Sequence, residues 1–153
     1  EEKFNINNII VTPITVPHDA REPVQFKFET KESIFAIITD LGFGSEYLLK
    51  SINDVNSIVV ESNHESKRLE ESDYPESLKQ RIGGRYGHLD NQEAARILKS
   101  IKKKNLDFVG AAHLSDKNNN PDVVRKELSL AIGKDASFIK IIDQENGFDW
   151  TSV

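Results

Sequence analysis

Four short apolar runs in this chain each stop on a side chain that can bind a metal or move a proton. Ile14-Thr15-Val16-Pro17 stops on His18, and Phe35-Ala36-Ile37-Ile38-Thr39 on Asp40. Ile58-Val59-Val60 stops on Glu61, and Phe108-Val109-Gly110-Ala111-Ala112 on His113. Runs of this kind predict buried strands. In layered α/β proteins, ligands and reacting groups gather beyond the carboxyl ends of strands. Two His, one Asp and one Glu placed there repeatedly predict one convergent metal site.

The 153 residues suffice for one domain with a real core. No apolar stretch approaches the ~20 residues of a membrane span, so no membrane partner is expected. Cysteine is absent, which excludes disulfides, thiolate zinc sites and cysteine nucleophiles. The cytoplasm is the default location for such a chain. Methionine is absent too, even at position 1, which predicts a piece of a longer protein. A net charge of −5 disfavours broad non-specific nucleic-acid binding. It leaves room for a local site where metal ions supply the positive charge.

Residues 4–11, 23–29 and 33–39 read as strands, the last two joined by a turn at Thr30-Lys31-Glu32. Ser45 is the expected N-cap of a helix over 46–52, followed by a strand over 57–60. The polar stretch 62–86 reads as short helices and a loop, punctuated by Pro75 and Gly83-Gly84. The strongest helix signal covers 91–104, with Asp90 as N-cap and Glu93 completing a capping-box-like pair. A strand over 106–112, a helix over 122–132 opened by Pro121 and a last strand over 137–142 complete the pattern. This order predicts an α/β protein: a sheet with helices on one face.

Taken one at a time, the site residues have ordinary readings. His18 is also a surface His after a Pro turn, Asp40 a turn Asp, and His113 a capping or core His. Imidazole and carboxylate together suit zinc, manganese or iron. Paired metals about 3.5–4 Å apart, bridged by a carboxylate, are a frequent hydrolytic design. His18, Asp40 and His113 underfill two metals. Glu61 and His88 suggest a carboxylate–imidazole pair that donates a proton, or two residues that merely tie loops together.

Val16-Pro17-His18-Asp19-Ala20 with Glu22-Pro23, then Thr39-Asp40-Leu41-Gly42, Glu61-Ser62-Asn63-His64, Leu78 to Ile82 leading to Gly87-His88-Leu89, and Ala112-His113-Leu114-Ser115 with Asn118-Asn119 form an ordered series. It resembles the metallo-β-lactamase-fold hydrolases, and within them the YycJ/WalJ-like group; a more distant likeness is to ribonuclease Z. The likeness covers residues ~11–121. It implies the C-terminal half of a metallo-β-lactamase αββα sandwich, a single partial domain over 1–153. It also implies two divalent metal ions, Zn or Mn, with His18 and His113 each on a different metal and Asp40 bridging them. Glu61 and His88 would support proton transfer, and His64 would contact substrate. The activity implied is phosphodiester hydrolysis, with a 5′-to-3′ DNA exonuclease as the family's best-known example. Nucleic acid, DNA before RNA, is the implied partner. A small-molecule phosphodiesterase or esterase and a non-catalytic half-domain are the rival readings. The family's leading motif, His-x-His-x-Asp-His, is absent from the chain's 4 histidines. It belongs to an N-terminal half that would have to come from elsewhere, and without it the fragment is expected to be inactive.

Overall fold

The structure is a computed structural model and describes residues 2–102, 106–145 and 147–151. The strands are β1 (Phe4–Ile6), β2 (Ile9–Thr15), β3 (Val24–Glu29), β4 (Ile34–Ile38), β5 (Ser57–Glu61), β6 (Phe108–Ala112) and β7 (Ile139–Ile141). The helices are α1 (Glu46–Ser51), α2 (Ser66–Glu71), α3 (Glu76–Ile82), α4 (Asn91–Ser100) and α5 (Pro121–Ile132). All seven strands form one sheet in the order β1-β2-β3-β4-β5-β6-β7. Pairings from β1 to β4 are antiparallel, and those from β4 to β7 are parallel.

Side chains alternate across a strand, and the two faces of this sheet differ accordingly. Ala36, Ile38, Ile58, Val60, Val109 and Ala111 point into a core completed by Leu48 and Ile52 from α1 and its end, Ile97 and Leu98 from α4, and Val124 and Leu128 from α5. Each fully buried Val, Leu or Ile side chain there contributes about 1.5–3 kcal/mol. The alternate positions form an aromatic strip on the opposite face. The Phe28 ring lies 6.3 Å from Phe26 and 6.1 Å from Phe35, and Phe148 stacks on Phe108 at 5.6 Å. The expected sheet with helices on one face is what the chain forms, and its pairing is mixed.

Three local expectations change. Residues 4–11 are not one strand: Asn7, at φ 52°, turns the chain between β1 and β2. Asn is one of the few residues that visit this left-handed region routinely. The helix expected over 91–104 ends at Ser100, because Ile101 is already extended at ψ 122°. Lys103 and Lys104 lie outside the described residues. The capping box is only half formed. Asp90 accepts from the Glu93 amide at 2.7 Å, but the Glu93 carboxylate turns away to the Gly44 amide at 2.8 Å and to Arg96. The Ser45 cap and the Pro121 helix start are as expected.

Candidate metal centre

The parallel half of the sheet sends the carboxyl ends of β4, β5 and β6 to one edge, and Asp40, Glu61 and His113 arrive there together. Asp40 and His113 both occupy left-handed backbone, at φ 55° and 58°. Neither is glycine, so each conformation costs of order 1–3 kcal/mol and must be enforced by its surroundings. For Asp40 the next residue shows how: buried Leu41 donates its amide to Glu61 Oε2 at 3.2 Å. Gly42 then packs so closely that a Cβ there would sit 2.3 Å from the Arg85 carbonyl oxygen. This contact presses the Asp40 turn onto the loop that carries His88. His18 follows the end of β2 and is drawn in as the Pro17 carbonyl accepts from the Gly42 amide at 3.0 Å.

Glu61 is the hub. Its side chain is fully buried, and its Oε1 lies 2.7 Å from Nδ1 of His88 and 2.7 Å from Nδ1 of His113. Burial alone pushes the Glu61 carboxyl up. The hydrogen bonds from His113 and His88 outweigh it and hold Glu61 below the ordinary glutamate value. In return, the Glu61 hydrogen bond raises His113 against the opposing effect of its own burial. A carboxylate accepts only, so both rings donate Nδ1–H to it, and Nε2 is the atom each could turn toward a metal. His18 reaches the same state differently. Its Nδ1 lies 3.1 Å from the Gly87 carbonyl oxygen, which can only accept, and its Nε2 lies 3.9 Å from Asp40 Oδ1.

Asp40, His88 and His113 each offer a donor atom, and these three atoms lie within 4.8 Å of one another. Asp40 Oδ1 is 3.9 Å from His88 Nδ1 and 3.8 Å from His113 Nδ1, the same nitrogens that face Glu61. One carboxylate facing three imidazoles with fixed tautomers is a donor set suited to a divalent cation. The sequence-predicted residues His18, Asp40, Glu61, His88 and His113 therefore form a single cluster. His64 does not join it. It is 3% exposed, lies over α2 and the Gly83 turn, and its Nδ1 is buried without a hydrogen-bond partner. Its burial lowers its pKa, and it borders a separate cavity with Ser66, Leu69 and Gly83.

Sequence reasoning missed the groups behind the cluster. Ser62, Asn91 and Asn119 are all buried and hydrogen-bonded to one another. Asn119 was legible as part of a motif, but Asn91 looked like an ordinary first-turn residue of α4.

No family model matches the chain. Among curated proteins, it is 34% identical over 125 residues to Exodeoxyribonuclease YycJ of Bacillus anthracis, covering 82% of this chain and 47% of that protein. It is 29% identical over 112 residues to Exodeoxyribonuclease WalJ of Streptococcus pneumoniae, covering 73% and 42%. Among solved structures, the metallo-β-lactamase fold protein YhfI from Bacillus subtilis superimposes with a TM-score of 0.69 at 15% identity, covering 97% of this chain and 52% of that one. The chain spans about half the length of the curated relatives it matches. In sequence and in fold, it belongs to the YycJ/WalJ-like group of metallo-β-lactamase-fold proteins.

Proposed function

We propose that this chain carries half of the active centre of a metal-dependent phosphodiester hydrolase acting on DNA. The other half, with the His-x-His-x-Asp-His ligands, would come from a preceding portion of the domain. The observation that supports this reading best is the shared Glu61 carboxylate, 2.7 Å from two imidazoles that in turn flank Asp40. The exodeoxyribonuclease names of YycJ and WalJ favour DNA as substrate.

In this reading His18, His113 and Asp40 would hold divalent ions, zinc or manganese, with the two histidines serving different ions and Asp40 shared. Bound there, two such ions would activate water and neutralise charge on a phosphoryl oxygen. Glu61 keeps His113 in the tautomer a ligand needs. It holds Nδ1–H of His88 likewise, and His88, when it also carries a proton on Nε2, would give that proton to the departing oxygen and be left as neutral imidazole. With a net charge of −5, the chain's attraction for phosphate would be concentrated at the metal positions.

The test uses a protein that also carries the His-x-His-x-Asp-His portion. Asp40→Ala is expected to abolish metal-dependent cleavage of end-labelled DNA, and activity retained at saturating metal would sink the bridging role. His88→Ala is expected to lower turnover with metal content intact; loss of metal would make His88 a ligand instead. Faster cleavage of cyclic phosphodiesters than of oligonucleotides would replace DNA with a small-molecule substrate.

A further inference from the structure

We propose that the buried amide pair Asn91–Asn119, joined by Ser62, is a positioning device that holds His88 and His113 on Glu61. The proposal rests on the reading that Glu61, His88 and His113 form the working cluster. Ser62 directly follows Glu61, Asn91 lies three residues after His88, and Asn119 lies six after His113. The network therefore ties together the three segments whose relative placement sets both 2.7 Å contacts.

The two amides pair reciprocally. Asn91 Nδ2 donates to Asn119 Oδ1 at 3.0 Å, and Asn119 Nδ2 donates to Asn91 Oδ1 at 2.9 Å. Asn119 Nδ2 also donates to the Ser62 carbonyl at 2.7 Å, and Ser62 Oγ donates to Asn91 Oδ1 at 2.8 Å. The Asn120 amide donates to Asn119 Oδ1 at 2.8 Å. A backbone N–H can only donate, so the Asn119 amide cannot flip without setting N–H against N–H. Ser62 is 0% exposed, Asn91 2% and Asn119 5%, so water cannot substitute for a lost partner. Backbone bonds extend the tie: Asn63 donates its amide to Leu89 and its side chain to the His113 carbonyl.

A carboxylate at position 119 would face two acceptors, the Ser62 carbonyl and Asn91 Oδ1. Asn119→Asp therefore keeps size and loses the pair. Long-range proton–nitrogen spectra of histidine-labelled chain, without metal, read the ring tautomers directly. The wild type is expected to show His88 and His113 as Nδ1–H tautomers, and Asn119→Asp to show them averaging. Zinc affinity, measured by titration, is expected to fall about tenfold, as for other groups that orient metal ligands.

Asn56→Ala is the control. Asn56 is equally buried, but it ties the opposite end of the sheet through Ile34 and Asp107. It is expected to lower thermal stability and leave both rings unchanged. Should Asn119→Asp fail to fold, Ser62→Ala removes a single hydroxyl donor and is expected to shift the same ring signals less. Wild-type ring signals in a folded Asn119→Asp or Ser62→Ala protein overturn the proposal, as does an equal ring change in Asn56→Ala. Zinc affinity unaffected by Asp40→Asn overturns the metal reading instead and leaves the ring signals to decide the positioning role.

Discussion

Asp40 and His113 sit in the same left-handed backbone, one residue past Thr39 and Ala112, at equivalent edges of the parallel sheet. Asn tolerates that region about as well as Asp, so Asp40→Asn is expected to change stability by less than about 1 kcal/mol. The same substitution removes the one carboxylate that faces three imidazoles. Thermal denaturation and zinc titration on one sample should therefore disagree, with stability kept and affinity lost. Glu61 is the opposite case. Glu61→Ala leaves the buried Leu41 amide and two ring donors without their acceptor, and an unsatisfied buried donor costs about 1–3 kcal/mol. Urea denaturation should show that loss before any question of activity arises. The four strand-end residues were legible in sequence because apolar runs end visibly on polar side chains. The convergence of Glu61 on two histidines was not, since residues 27 and 52 positions away carry no local trace of it. His64 follows Glu61 closely in the chain, but its side chain is buried outside the cluster and lines a separate cavity with Leu69 and Gly83.

At the scale of elements, α4 is the fixture that places His88. Asp90 caps the helix and also accepts from Ser66 Oγ at 2.8 Å, which joins α4 to α2. Asp90→Ala is expected to cost about 1 kcal/mol from the cap, more if the Ser66 bond matters, as read by chemical denaturation. Three residues on, Glu93 clamps the loop after Asp40 through the Gly44 amide, while Arg96 bonds both Glu93 and the Gly44 carbonyl. The Arg96 hydrogen bond holds Glu93 below the ordinary 4.5 of a glutamate, against a smaller opposing effect of burial. A depressed folded-state pKa contributes stability above the unfolded value and loses it as pH falls through the folded one. The stability difference between wild type and Glu93→Gln should therefore be full above pH 4.5 and shrink on acidification. The cap was readable, because Asp followed by an apolar period is a local signal. The partner of Glu93 was not, because Gly44 lies 49 residues away.

At the scale of the whole molecule, the helix-covered face satisfies itself and the other does not. Phe26, Phe28, Phe35 and Ile37 are only partly buried there, and Trp150, the chain's single tryptophan, stands fully exposed beside Phe148. An apolar strip of this kind favours association. Sedimentation of the chain alone should show concentration-dependent self-association, with a blue shift of Trp150 emission. Phe28→Lys should weaken both. The helix–strand alternation of the second half made the layered class legible from periodicity. The change from antiparallel to parallel pairing at β4 was not, since both use the same apolar runs and differ only in how the connection returns. The strand order has a kinetic consequence. Each strand lies beside its immediate predecessor, so none must be inserted between two already joined. The sheet can be laid down at a single advancing edge in the order of synthesis, as the chain leaves the ribosome at about 5–20 residues per second. Glu61 would then wait at that edge while the 52 residues to His113 are made. The cluster closes only when β6 joins the edge and delivers His113, which makes it a consequence of sheet growth rather than its nucleus.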